Sequence, residues 1–101
     1  MLWKERDWER WIHCLAADSS SVRWSSHARF RMYQRGVTAA LVLDVLRNGI
    51  IVRRPETNIR TGYIECRVQR RCAGRHLAVV VALACERAPS CLVVTVFDVG
   101  V

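Results

Sequence analysis

A chain of 101 residues, 51% of them hydrophobic, is long enough for one domain with one core, and too apolar to be disordered. Sixteen Lys and Arg face nine Asp and Glu for a formal charge of +7, and all of the cations except Lys4 are Arg; the guanidinium fork binds phosphate bidentately and stacks on bases, so the balance points to a polyanionic partner. The longest apolar run, Leu77–Cys85, is far too short to span a bilayer, so no membrane role is expected.

In chain order, the first element is an amphipathic helix over 3–17, with Trp8, Trp11, Ile12 and Leu15 at helical spacing. Its tryptophans pack on the core or, alternatively, serve as a homodimer contact. After the polar break at 18–21, a second helix spans 24–35, with Ser25 or Ser26 as its cap and Gly36 as its left-handed stop. Thr38 caps a third helix whose apolar face is Leu41, Val42, Val45 and Leu46, closed by Asn48-Gly49. The period then changes from 3.6 to 2. A short strand covers 50–53, and 55–61 is a polar loop. A strand over 63–70 carries Ile64, Cys66 and Val68 on one face and Glu65, Arg67 and Gln69 on the other. Ala73-Gly74 makes a tight turn, 77–85 is a central strand covered on both faces, and 92–97 is the last strand. Helices followed by hairpin-linked strands predict an α+β domain over 1–101, with two or three N-terminal helices packed on a three- to four-stranded antiparallel sheet.

Five cysteines (Cys14, Cys66, Cys72, Cys85 and Cys91) are odd in number and form no C-x-x-C pair. With a charged, Trp-rich start instead of an apolar leader, they predict reduced thiols and a cytoplasmic setting. A zinc set can be drawn from Cys66, Cys72 and His76, but it fits no zinc spacing, and neither metal nor cofactor is expected.

The residues suited to chemistry fall in few places. His27, Arg31 and Arg35 are spaced i, i+4, i+8 and share an arc of about 80° on the second helix. One stripe then offers an imidazole that moves a proton near neutral pH and two guanidiniums that neutralise phosphate. Arg75 and His76 enter the central strand on opposite faces. Arg67, Arg70, Arg71 and Arg75 read as a nucleic-acid-binding surface. Thr95 is a lone hydroxyl in an apolar strand. Glu65 and Glu86 are the carboxylates placed for general-base work.

The run His27-Ala28-Arg29-Phe30-Arg31-Met32-Tyr33-Gln34-Arg35-Gly36-Val37-Thr38 resembles the opening signature of the DUF4258 domains. Leu46-Arg47-Asn48-Gly49 with Ile50-Ile51, then Arg75-His76-Leu77-Ala78-Val79-Val80-Val81, and finally Leu92-Val93-Val94-Thr95-Val96-Phe97 follow in the family's order. The resemblance covers about 25–98 and leaves the tryptophan helix of 1–20 outside. That family is similar to the RelE/ParE-type toxins, so the resemblance implies a RelE-like fold and RNA as target. The matching positions are His27, Arg31, Arg35, His76 and Thr95.

Together these readings predict a toxin-like, metal-independent endoribonuclease. The RNA 2′-hydroxyl attacks the adjacent phosphorus, so the protein must supply only a base, an acid and charge stabilisation. His27 is one proton carrier, His76 or Glu65 its counterpart, and Arg31 and Arg35 the charge stabilisers. RNA is the expected partner and an antitoxin protein a second. The alternatives are a non-catalytic module binding nucleic acid or protein through the same arginines, and a ParE-like topoisomerase inhibitor.

Overall fold

Local chemistry sets the ends of the helices in the computed structural model, which describes residues 2–100. In α1 (Glu5–Ala17), the Asp7 carboxylate reaches back to accept from the Lys4 N–H at 2.9 Å, and Glu5 and Asp7 place negative charge at the positive end of the helix dipole. Its buried face is Trp8, Ile12, Leu15 and Ala16. Asp18 opens a single turn of 3₁₀ helix at Ser19–Ser21. In α2 (Ser26–Arg35), Ser25 Oγ accepts from the Ala28 N–H at 3.0 Å, and Gly36 takes the left-handed conformation (φ 62°) that ends the helix. In α3 (Ala39–Asn48), Thr38 Oγ1 accepts from the Leu41 N–H at 3.2 Å.

The strands are β1 (Val22–Trp24), β2 (Ile50–Ile51), β3 (Glu56–Thr57), β4 (Ile64–Cys72), β5 (Arg75–Leu83) and β6 (Cys91–Asp98). They form one sheet in the order β1-β6-β5-β4-β2, with β3 also pairing β4. The α+β class is as expected, and β4–β6 are the expected antiparallel meander. Two expectations are corrected. The sheet has six strands instead of three or four, and it is mixed, because β1 runs parallel to β6. The added strands, β1 and β3, are three and two residues long, below what hydrophobic periodicity registers, and each is defined by its partner: β1 by the distant β6 and β3 by the following β4. Trp24 accordingly ends β1 instead of opening α2, and the stretch expected as polar loop contains β3.

Register assigns the faces. On the helix side lie Cys66 and Val68 of β4, Leu77, Val79, Val81 and Leu83 of β5, and Val93 and Val96 of β6. They pack with Trp8, Ile12, Val42, Val45 and Leu46 as one core. Trp3 and Trp11 are partly buried against it, and Trp3 meets Trp8 edge-on with ring centroids 5.0 Å apart. The opposite face carries Glu65, Arg67, Gln69 and Arg71, then His76, Ala78, Val80 and Ala82, then Leu92, Thr95 and Phe97. No described helix packs there. Ala78 and Ala82 are nonetheless buried, because they are small and lie between strands that carry longer side chains. Double-sided burial of β5 thus needs no second layer.

Helix α2 takes a third position, along the margin of β6. Strand β1 pairs only with Cys91, Leu92 and Val93. Beyond it the carbonyls of β6 are met by α2 and its cap: Ser25 Oγ donates to Val94 O at 3.2 Å and the Arg35 guanidinium donates to Val96 O at 2.5 Å.

Candidate functional site

A β-bulge prepares the site. Val80 pairs with Thr95 and Val81 with Val93, so Val94 is an extra residue in β6. Bulges re-aim side chains, and here Val94 and Thr95 end in adjoining concavities between α2 and the open face.

The first concavity, of about 340 Å³, is lined by His27, Arg31, Arg35, Thr95, Phe97 and Asp98. The helical stripe read from the sequence and Thr95, 60 residues beyond Arg35, therefore line one cavity. Arg31 and Arg35 are half-buried and His27 is exposed. Arg35 spends one donor on Val96 O, and Arg31 donates to Gln34 Oε1 at 2.9 Å. Each keeps further N–H groups, since a guanidinium has five. Asp98 adds a carboxylate held below its ordinary range by the hydrogen bond from Arg75, whose Nη2 lies 2.8 Å from Asp98 Oδ2.

His27 also lines a second concavity of about 540 Å³ with Glu65, Asn58, Tyr63, Leu92 and Val94. Asn58 Nδ2 donates to Glu65 Oε2 at 3.0 Å, and Asn58 Oδ1 accepts from the N–H groups of Arg60 and Thr61, which fixes the loop beside the carboxylate. Of the two counterparts considered for His27, Glu65 shares a cavity with it. His76 lines another one, with Gln69, Arg70, Arg71 and Ile50. With its amide turned so that oxygen faces Arg67, Gln69 accepts from Arg67 Nε at 2.9 Å and donates to His76 Nε2 at 3.3 Å. Arg67 in turn lies over the Phe97 ring, 4.7 Å from its centroid.

The four arginines expected to bind nucleic acid separate by strand parity. Arg67 and Arg71 are on the open face, Arg70 and Arg75 on the helix side. Arg70 Nε pairs with Asp44 Oδ2 of α3 at 3.2 Å. Arg75 pairs with Asp98 and donates to the carbonyls of Arg35 and Gly36 at the end of α2, at 2.9 and 3.1 Å. Both join elements of the scaffold. Glu86 is likewise occupied, accepting from the N–H groups of Leu2 and Trp3 at 3.0 and 2.6 Å.

Cys66 and Cys72 face the helices while His76 faces the open side, so the zinc set drawn from the sequence is divided by the sheet. Among the described residues no group of three or more His, Cys, Asp or Glu is placed to hold a metal ion. All five cysteines are free thiols, and burial pushes Cys66 up to about 12 and Cys91 up to about 11.

Phe97, Asp98, Asn58 and Tyr63 line these cavities without having been singled out from the sequence. Phe97 was findable, since it stands two residues from Thr95 and strand alternation puts both on one face. Asp98, Asn58 and Tyr63 arrive through strand order and loop path, which leave no local mark.

A family model described as Domain of unknown function (DUF4258) matches residues 24–98. No curated protein and no solved structure matches the chain. No described helix is long and apolar enough to cross a membrane.

Proposed function

The chain belongs to the DUF4258 family, and from that premise and the geometry above we propose that it is a toxin-like RNA-binding protein that cleaves RNA without a metal ion. One observation carries the reading: His27 is the common wall of a cavity holding Arg31, Arg35 and Thr95 and of a cavity holding Glu65. A phosphate at the two guanidiniums then has a proton acceptor and a proton donor within reach on neighbouring walls.

In this mechanism Glu65 takes the proton of the ribose 2′-hydroxyl. The 2′-oxygen bonds to phosphorus, the bond from phosphorus to the 5′-oxygen breaks, and protonated His27 delivers a proton to that leaving oxygen. Arg31 and Arg35 neutralise the non-bridging oxygens as charge builds on the phosphorane, and Thr95 offers a hydroxyl donor to the same oxygens. The products are a 2′,3′-cyclic phosphate and a 5′-hydroxyl. His76, beside Gln69 and Arg71, binds the strand further along the open face together with Arg67. A RelE-like relationship, a cytoplasmic setting and an antitoxin that covers the cationic face belong to the same reading.

Incubation of the purified chain with labelled single-stranded RNA in EDTA tests it. Cleavage with cyclic-phosphate ends should appear, and should be lost in His27→Ala, in Glu65→Gln and on a 2′-deoxy strand. RNA binding without cleavage, weakening with salt and indifferent to His27, would sink the ribonuclease and leave a binding module. Growth arrest with DNA damage and intact transcripts would point instead to a topoisomerase inhibitor.

A further inference from the structure

The cavity that holds Glu65 shares Tyr63, Ala82 and Leu92 with a third one of about 700 Å³. The far walls of this third cavity include Arg23, Trp24 and Arg29. Three concavities therefore abut in a fixed order. One end holds Arg31 and Arg35, the middle is walled largely by Tyr63, Leu92 and Val94, and the other end holds Arg23 and Arg29 beside an indole. Arg23 stands opposite Leu92 on the open side of β1, and Arg29 projects from α2. Both are exposed, and neither forms an ion pair among the described residues, in contrast to Arg70 and Arg75.

Cation, apolar wall, cation is the repeat of phosphate, nucleoside, phosphate. Resting on the ribonuclease reading above, we infer that this groove is a track for single-stranded RNA: the nucleoside on the 5′ side of the reacting phosphate occupies the middle cavity with its base against Tyr63, and its own 5′-phosphate is held by Arg23 and Arg29. Chemistry sets the polarity. The attacking 2′-hydroxyl belongs to the nucleoside 5′ of the broken bond, and Glu65, which accepts its proton, lines the middle cavity. The strand therefore runs 5′ to 3′ from Arg23 and Arg29 toward Arg31 and Arg35. A base turned against Tyr63 is withdrawn from pairing, so the track takes a single strand and not a duplex.

The experiment uses the full chain and a labelled 2′-fluoro oligonucleotide, which cannot supply the attacking hydroxyl, in a fluorescence anisotropy titration across salt concentrations. Tyr63→Ala should weaken binding roughly 5- to 150-fold, the loss of one base–aromatic stack, while Tyr63→Trp retains it. Arg23→Ala/Arg29→Ala should make the salt dependence shallower by about 0.7 in log–log slope for each phosphate that is no longer neutralised. With a cleavable dinucleotide, adding a 5′-phosphate should raise kcat/KM for the wild type but not for the double arginine variant. If the wild type cleaves RNA while these variants and the added phosphate change nothing, the track is wrong and the catalytic reading stands. If the variants weaken binding but no form of the chain cleaves, the track stands and the ribonuclease falls. Absence of any single-strand binding overturns both.

Discussion

The two faces of the sheet are made from alternate residues of the same three strands, yet they treat their arginines in opposite ways. On the helix side, Arg70 and Arg75 are bound to Asp44 and Asp98 and tie α3 and the end of α2 to the strands. On the open side, Arg67 lies over Phe97, and Arg71 is exposed with no ion pair among the described residues. The formal +7 of the chain is thus not a uniform coat. Part of it is internal fastening, and a further part is exposed on the open side of the sheet and along α2, as it also is at Arg6 and Arg10 of α1 and at Arg54 and Arg60 beside β3. A count of basic residues overstates the ligand-binding surface until strand parity divides it.

Substitutions can break or sharpen that contrast. Under the proposed mechanism, His27→Ala, at an exposed position, should cut RNA cleavage by about 100- to 10,000-fold with the thermal midpoint unchanged. On the covered face the reverse holds. Leu46 is fully buried, and Leu46→Ala should cost about 2–5 kcal/mol in urea unfolding. A smaller but still structural loss, about 1–3 kcal/mol, is expected for Gly49→Ala. A Cβ there would meet the Val45 carbonyl, Gln69 O at 2.7 Å and Val68 Cγ1 at 2.8 Å, where β2 leaves α3.

Below that stands the Arg75–Asp98 pair, whose partial exposure keeps it to about 0.2–1 kcal/mol after screening. Because the hydrogen bond from Arg75 depresses the Asp98 carboxyl, its contribution is complete above the ordinary aspartate range near pH ~4. It is lost as pH falls through the lowered value. Asp98→Asn should lower stability by that amount above this window and flatten the profile within it, so that the two proteins converge at the acid end. The smallest effect concerns reactivity alone. A thiol reagent at neutral pH should label the exposed Cys14 and Cys85 at once, and Cys66 and Cys91 only on unfolding, since burial holds both thiols protonated. Rapid native labelling of Cys66 would mean that the core face opens.

The elements that the sequence announces are those fixed within a few residues. Ser25, Gly36 and Thr38 cap and stop helices by contacts three or four positions away, so α2 and α3 were readable nearly to the residue. The stripe of His27, Arg31 and Arg35 follows from the same local geometry. Parity would also have separated Arg70 from Arg71, but nothing near Arg70 in sequence announces Asp44, which lies 26 positions away. Strand β1 and the seating of α2 against β6 depend on which strand happens to be neighbour to which. That choice is made by the whole core and not by Val22–Trp24. The meeting of Thr95 with His27, and of His27 with Glu65, follows from it.

The guanidinium that donates to Val96 O bears on how solitary this molecule stays. A strand margin with bare carbonyls is a template on which another chain can add itself, and β6 would offer one wherever β1 falls short. Arg35 sits on that margin while also facing the cationic cavity. Its loss would therefore expose the sheet to self-association as well as weaken any anion site, and precipitation could be mistaken for failed chemistry. It follows that the pressure to keep an arginine here does not depend on whether the cavity beside it is a catalytic site. Retention of Arg35 across descendants would report on colloidal behaviour as well as on the cavity, whereas the exposed His27, bordering both cavities, is the cleaner marker of the proposed activity.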